Sequence, residues 1–174
     1  AYPFLMRVYR DCLIGRISMD ELAEIARLTI AYVVRRAVCE IPTNSLSKTF
    51  ATLKNNINYD DYFNSIKAAF YFLDSYKSFP NDEKFSAELR SRNMYSMRIC
   101  KYILTKLENY QNKEPIQSAN YTIEHILPQN KNMRPEWQDA LGESYAEIQA
   151  KYVDTLGNLT LTCYNSEMSD KSFT

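Results

Sequence analysis

Apolar residues return every three or four positions through the first two-thirds of the chain, the period of helices that bury one face. Pro3 suits the first position of a helix carrying Phe4, Leu5, Val8 and Cys12 on one side, and Gly15 ends it. Ser18 followed three residues later by Glu21 is a capping box. It predicts a long helix through Leu22, Ile25, Leu28 and Tyr32 toward Cys39, paired with the first as a hairpin. Pro42 breaks the run, and Asn44 or Ser45 is placed to cap a helix with Leu46, Phe50 and Leu53. Tyr59, Tyr62, Phe63, Ile66, Phe70 and Leu73 stripe the next helix, and their period assigns them to a core rather than to a base-stacking surface. Pro80 and Asn81 turn the chain into a short helix with Phe85 and Leu89, and Ile99, Ile103 and Leu107 stripe one that ends near Tyr110.

The pattern then changes. Positions 111–120 are polar and contain Pro115, so the boundary is expected there: a helical region over residues 1–115 and a smaller unit over 116–174. Tyr121, Thr122 and Ile123 are the aromatic and β-branched residues of a short strand, which delivers Glu124 and His125 to its end before Pro128 stops it. Pro135 starts a short helix with Trp137 that Gly142 closes, and Gly157 and Asn158 turn into a second strand, Leu159 to Thr162. A polar, helical tail from Asn165 holds Asp170 and Lys171. The expected fold is mainly α, with a small strand-strand-helix finger at the C-terminal end.

That finger concentrates one kind of chemistry. Hydrolysis of a phosphodiester requires a base to take a proton from water, and histidine is the side chain that titrates near neutrality. His125 is the only histidine in the sequence and stands at a strand end expected to face a cleft, so the role of base falls to it. A hard cation beside the phosphate needs oxygen donors, and the Glu124 carboxylate with the Asn165 amide suits Mg2+ or Mn2+. Asp170 is the alternative donor, because Asn165 is equally suited to capping a helix. Asn158, beside a glycine at a turn, can donate and accept backbone hydrogen bonds together and so brace the loop that carries the histidine. Lys171 is placed either to touch a phosphate or simply to face solvent.

Composition narrows the classes. With 174 residues, 45% apolar content and three glycines, the chain is globular and long enough for a sizeable core. Lys plus Arg (21) equals Asp plus Glu (21), so the surface as a whole exerts no strong non-specific pull on nucleic acid. Arg35 and Arg36 are accordingly assigned to carboxylates on a neighbouring helix rather than to phosphate. Cys12, Cys39, Cys100 and Cys163 form neither a zinc pair nor a disulfide framework, which points to a reducing cytoplasm, and the sequence has no membrane-length apolar run. A start at Ala1 suggests a piece of a longer protein.

At EHILPQ, LGNLTL and YNSEMSDKSF the sequence resembles the HNH nuclease superfamily, and in wording the HNH domain of modification-dependent restriction enzymes of the GmrSD kind. YPFLMRVY, IAYVVRRAVC, PTNSLSKTF and KYILTKLENY resemble the helical region that precedes the nuclease motif in that family. Asn165 stands where many HNH enzymes have histidine. The resemblance implies a ββα-metal finger, a metal-dependent endonuclease cutting modified phage DNA, and a nucleotide-binding domain carried by the rest of a longer chain or a partner subunit. The rival class is a helical interaction or DNA-binding scaffold whose finger is degenerate and does not cut.

Overall fold

The computed structural model describes residues 1–163, and these form two compact units, Ala1–Ser86 and the unit that begins at Ala87. Residues 116–163, the described part of the expected finger, lie within the second unit.

The first unit is helical. Helix α1 (Tyr2–Leu13) carries Pro3 in its first turn and buries Phe4, Val8 and Asp11. Beyond it Gly15 adopts a φ of +75°, a conformation that costs a residue without Cβ nothing, while the Arg16 amide donates back to the Asp11 carbonyl at 2.9 Å. Helix α2 (Met19–Val38) opens on the expected capping box: the Ser18 hydroxyl accepts from the Glu21 amide, and the Glu21 carboxylate accepts from the Ser18 amide. Helix α3 (Leu46–Leu53) follows a single 3-10 turn, Thr43–Ser45. Ser45 does not cap it, because its hydroxyl accepts from the buried Arg36 guanidinium at 2.9 Å.

Helix α4 spans Tyr62–Tyr71, so Tyr59 and Leu73 flank it rather than belonging to it. Phe4, Tyr32, Phe50 and Phe70 meet edge-on or tilted at ring-centre distances of 5.2–6.4 Å, and with Val8, Ile25, Leu53 and Ile66 they form the core. The expected core stripe thus holds at Tyr62, Ile66 and Phe70, while Tyr59 remains about half exposed.

The two arginines of α2 part company. Arg35 reaches the Asp82 carboxylate, as expected. Arg36 instead donates to the carbonyls of Tyr76 and Pro42 and to the hydroxyls of Tyr32 and Ser45, all neutral oxygens. Its side chain is fully buried, and those loops supply unsatisfied carbonyls that a guanidinium fork matches. Asp11 is the other buried charge. Burial alone would raise its carboxyl, but hydrogen bonds from the Tyr62 hydroxyl and Arg7, with the charges of Arg7 and Arg16, outweigh burial and hold it below the usual carboxylate range. Tyr62, buried and donating to that carboxylate, has its own ionisation pushed upward.

Helix α5 (Asp82–Ser91) begins after Asn81, whose side-chain oxygen accepts from the Lys84 amide at 2.9 Å. Helix α6 (Cys100–Glu108) packs on the second of two antiparallel strands, β1 (Thr122–His125) and β2 (Leu159–Thr162). Between the strands lie helix α7 (Pro135–Leu141), ended by Gly142 at φ +73°, and helix α8 (Tyr145–Tyr152), which periodicity did not mark. Met94, Cys100, Leu127, Met133 and Leu159 are buried in this unit.

Candidate active site

Pairing in the hairpin sets His125 opposite Leu159 and Glu124 opposite Thr160. The ladder continues one step past β1, where the Ile126 amide donates to the Asn158 carbonyl at 2.9 Å. Side chains alternate along a strand, so Glu124 and His125, though adjacent, project to opposite faces. His125 does not face an open cleft: its side chain is only 7% exposed. The Tyr95 ring stands edge-on to the imidazole, with centres 4.4 Å apart, and covers it.

The imidazole has a polar partner. His125 Nε2 lies 3.1 Å from the Asp154 carboxylate Oδ1. The other carboxylate oxygen accepts from Asn93 Nδ2 at 2.8 Å, while the Asn93 side-chain oxygen accepts from the Ser96 amide at 3.0 Å. The main chain is tied as well, since the Asp154 carbonyl accepts from the amides of Met94 at 2.8 Å and Tyr95 at 3.3 Å. The segment before α6 and the segment after α8 therefore converge on the histidine.

Asn158 ties the segment after β1 to the segment after α8. Its side-chain oxygen accepts from the Leu127 amide at 2.7 Å, and its amide group donates to the Leu127 carbonyl at 3.2 Å and the Val153 carbonyl at 2.7 Å. The residue is 8% exposed, and its polar atoms are engaged with backbone, so it holds the strand end that bears His125 and the turn that bears Asp154. Gln149 does similar work one turn earlier, donating to the carbonyls of Pro128 at 2.6 Å and Asn130 at 2.9 Å.

Glu124 is half-buried on the opposite face, and its carboxylate has no hydrogen-bond or ion-pair partner among the described residues. A half-buried carboxylate is costly to leave unsatisfied, and its chemistry suits a hard divalent cation. Among the described residues no group of three or more His, Cys, Asp or Glu side chains is arranged to hold a metal ion. The remaining expected donors, Asn165 and Asp170, and the phosphate contact Lys171 lie outside the described residues.

Asp154, Asn93, Tyr95 and Gln149 went unmarked in the sequence. One signal was available for Asp154: once β2 is registered against β1, an acid four residues ahead of Asn158 sits beside the end of β1. Asn93 and Tyr95 gave none, being separated from Asp154 by about sixty positions.

A family model described as GmrSD restriction endonucleases, C-terminal domain, matches residues 79–174, more than half of the chain. The matched span contains every residue of the site just described. No curated protein and no solved structure matches the chain.

Proposed function

Because the chain belongs to the GmrSD restriction endonuclease C-terminal domain family, we propose that it is a metal-dependent DNA endonuclease, the cutting part of a modification-dependent restriction enzyme that acts against phage DNA. The observation that carries this reading is a single histidine fixed at the end of β1, with a carboxylate beside it in sequence, on the other face of the strand, that has no partner among the described residues. In this reading residues 116–174 are an HNH-type ββα finger and residues 1–115 the helical region before it. His125 takes the proton from the attacking water, and Asn158 holds the loop in place for it. Glu124, with Asn165 or Asp170, holds Mg2+ or Mn2+, and Lys171 contacts a phosphate oxygen. The ion, when bound, supplies charge stabilisation at the phosphate. A nucleotide-binding domain, on the same chain or a partner subunit in the cytoplasm, supplies targeting. No helix among the described residues is long and apolar enough to cross a membrane.

The test is nicking of supercoiled plasmid by the longest protein that carries this domain. Cleavage should stop in excess chelator, return with Mg2+ or Mn2+, and be lost in His125→Ala. Glu124→Ala should need more metal to reach the same rate, because an all-oxygen site holds these ions through few protein contacts. Undiminished nicking in chelator would refute the metal assignment. Metal-independent DNA binding without cutting, for wild type and His125→Ala alike, would instead support a non-cleaving scaffold.

A further inference from the structure

We propose that Asp154 is a positioning residue that fixes His125 as its Nε2–H tautomer, so that Nδ1 is the nitrogen that accepts the proton from water. The proposal rests on the reading of His125 as the base. A neutral imidazole carries one donor and one acceptor nitrogen, and an ionised carboxylate can only accept. With Nε2 3.1 Å from the Asp154 carboxylate, the proton belongs on Nε2 and the free lone pair on Nδ1. Asp154 is itself held in place, because Asn93 bonds its other oxygen at 2.8 Å and the Met94 amide bonds its carbonyl at 2.8 Å. The edge of the Tyr95 ring limits rotation of the imidazole, and Asn158 pins Val153, the residue before the acid.

In the step this geometry serves, an O–H bond of the attacking water breaks and its proton bonds Nδ1. The water oxygen forms a new bond to phosphorus as the bond from phosphorus to the leaving sugar oxygen breaks. The leaving oxygen takes a proton from solvent, and the imidazolium returns its proton to solvent. Asp154 remains ionised throughout and stabilises the imidazolium through the Nε2–H bond, the role that a carboxylate plays behind a catalytic histidine elsewhere.

The Asn93 contact makes the test specific. In Asp154→Asn, the Asn93 amide donor will draw the new side-chain oxygen to itself and turn the new NH2 group toward Nε2. That group donates, so His125 is forced into the Nδ1–H tautomer. Adding Asn93→Asp reverses the choice: the carboxylate introduced at 93 accepts from the amide at 154, whose oxygen turns back to His125. Because His125 is the only histidine in this chain, 15N labelling of histidine assigns the signals without ambiguity. At a pH where the imidazole is neutral, wild type should show a protonated Nε2 and an unprotonated Nδ1. Asp154→Asn should show the opposite, and the Asn93→Asp/Asp154→Asn pair should resemble wild type.

Nicking should fall about 100-fold or more in Asp154→Asn, within the range of about 10²–10⁴ that a general base supplies, and should recover in the double variant. An Nδ1–H tautomer in wild type, or both nitrogens protonated under those conditions, overturns the proposal without any cleavage measurement. Full nicking by Asp154→Asn with His125→Ala inactive overturns the positioning role alone. Full nicking by His125→Ala overturns the reading on which it rests.

Discussion

Removing the Asn158 side chain tests how the site is held together. In Asn158→Ala the Leu127 amide loses its acceptor, and the Leu127 and Val153 carbonyls lose a shared donor, in surroundings where Asn158 is 8% and Leu127 7% exposed. A typical net hydrogen bond contributes about 1 kcal/mol, and a buried group left unsatisfied costs about 1–3 kcal/mol. The carbonyls retain a second lone pair and some access to water, so the amide dominates. The sum is about 3 kcal/mol, large against the ~5–15 kcal/mol that holds a domain folded. Asn158→Asp should be at least as damaging: it keeps the acceptor for Leu127 but faces two carbonyls with a group that cannot donate.

Urea unfolding of the three proteins measures the total, and exchange of the Leu127 amide measures the local part. In wild type that amide should be protected, in Asn158→Ala it should exchange faster by orders of magnitude, and nicking should fall because both His125 and Asp154 lose their tether. A loss below about 1 kcal/mol in Asn158→Ala, or unchanged protection at Leu127, would refute the clamp. A stable, fully protected Asn158→Ala that no longer cuts would instead give Asn158 a direct part in the chemistry.

His125→Ala should abolish nicking and also cost about 1–2 kcal/mol, because its side chain is largely buried against Tyr95 and bonded to Asp154; urea unfolding that matched wild type would contradict the packing. This chain by itself should bind DNA weakly, since its charges balance and few counterions are released on contact with phosphates; tight, modification-specific binding in a titration at 0.15 M salt would place recognition inside it. Asp11, whose folded carboxyl sits below its unfolded value, contributes stability that is present above the unfolded value near ~3.9 and lost as pH falls through the folded one. Asp11→Asn should therefore be less stable than wild type at neutral pH but lose less on acidification; parallel unfolding profiles below pH 5 would refute the linkage.

Local signals carried the elements furthest. Helices α1 and α2 and strand β2 stand where capping chemistry, Gly15 and β-branched runs put them, because those signals act within a few residues. Ser45 shows where such signals yield: a good capping residue gave its hydroxyl to Arg36, a partner nine positions away that needed a buried acceptor more. Helix α8 escaped notice because Tyr145, Ile148 and Tyr152 are spaced for a helix but interleaved with Glu147, Gln149 and Lys151 too evenly to form a clear apolar face. Its function in the fold is polar, since Gln149 is buried to satisfy the carbonyls of the loop after β1.

The site divides along the same line. Glu124, His125 and Asn158 stand out in the sequence as strand-end and turn residues of unusual chemistry in short motifs, and the structure places them at the end of β1 and in the turn before β2. What makes His125 specific was not legible, because Asp154 and Asn93 are ordinary surface residue types whose meaning depends on a contact across 61 positions. Yet the hairpin supplies a rule that narrows the search. Antiparallel pairing of β1 with β2 brings the residues just before β2 against those just after β1, so any acid in that short entry segment is a candidate partner for a histidine ending β1. Positions 153–158 contain one acid, Asp154. Register, rather than residue type, is therefore the information that gives a lone histidine its carboxylate partner.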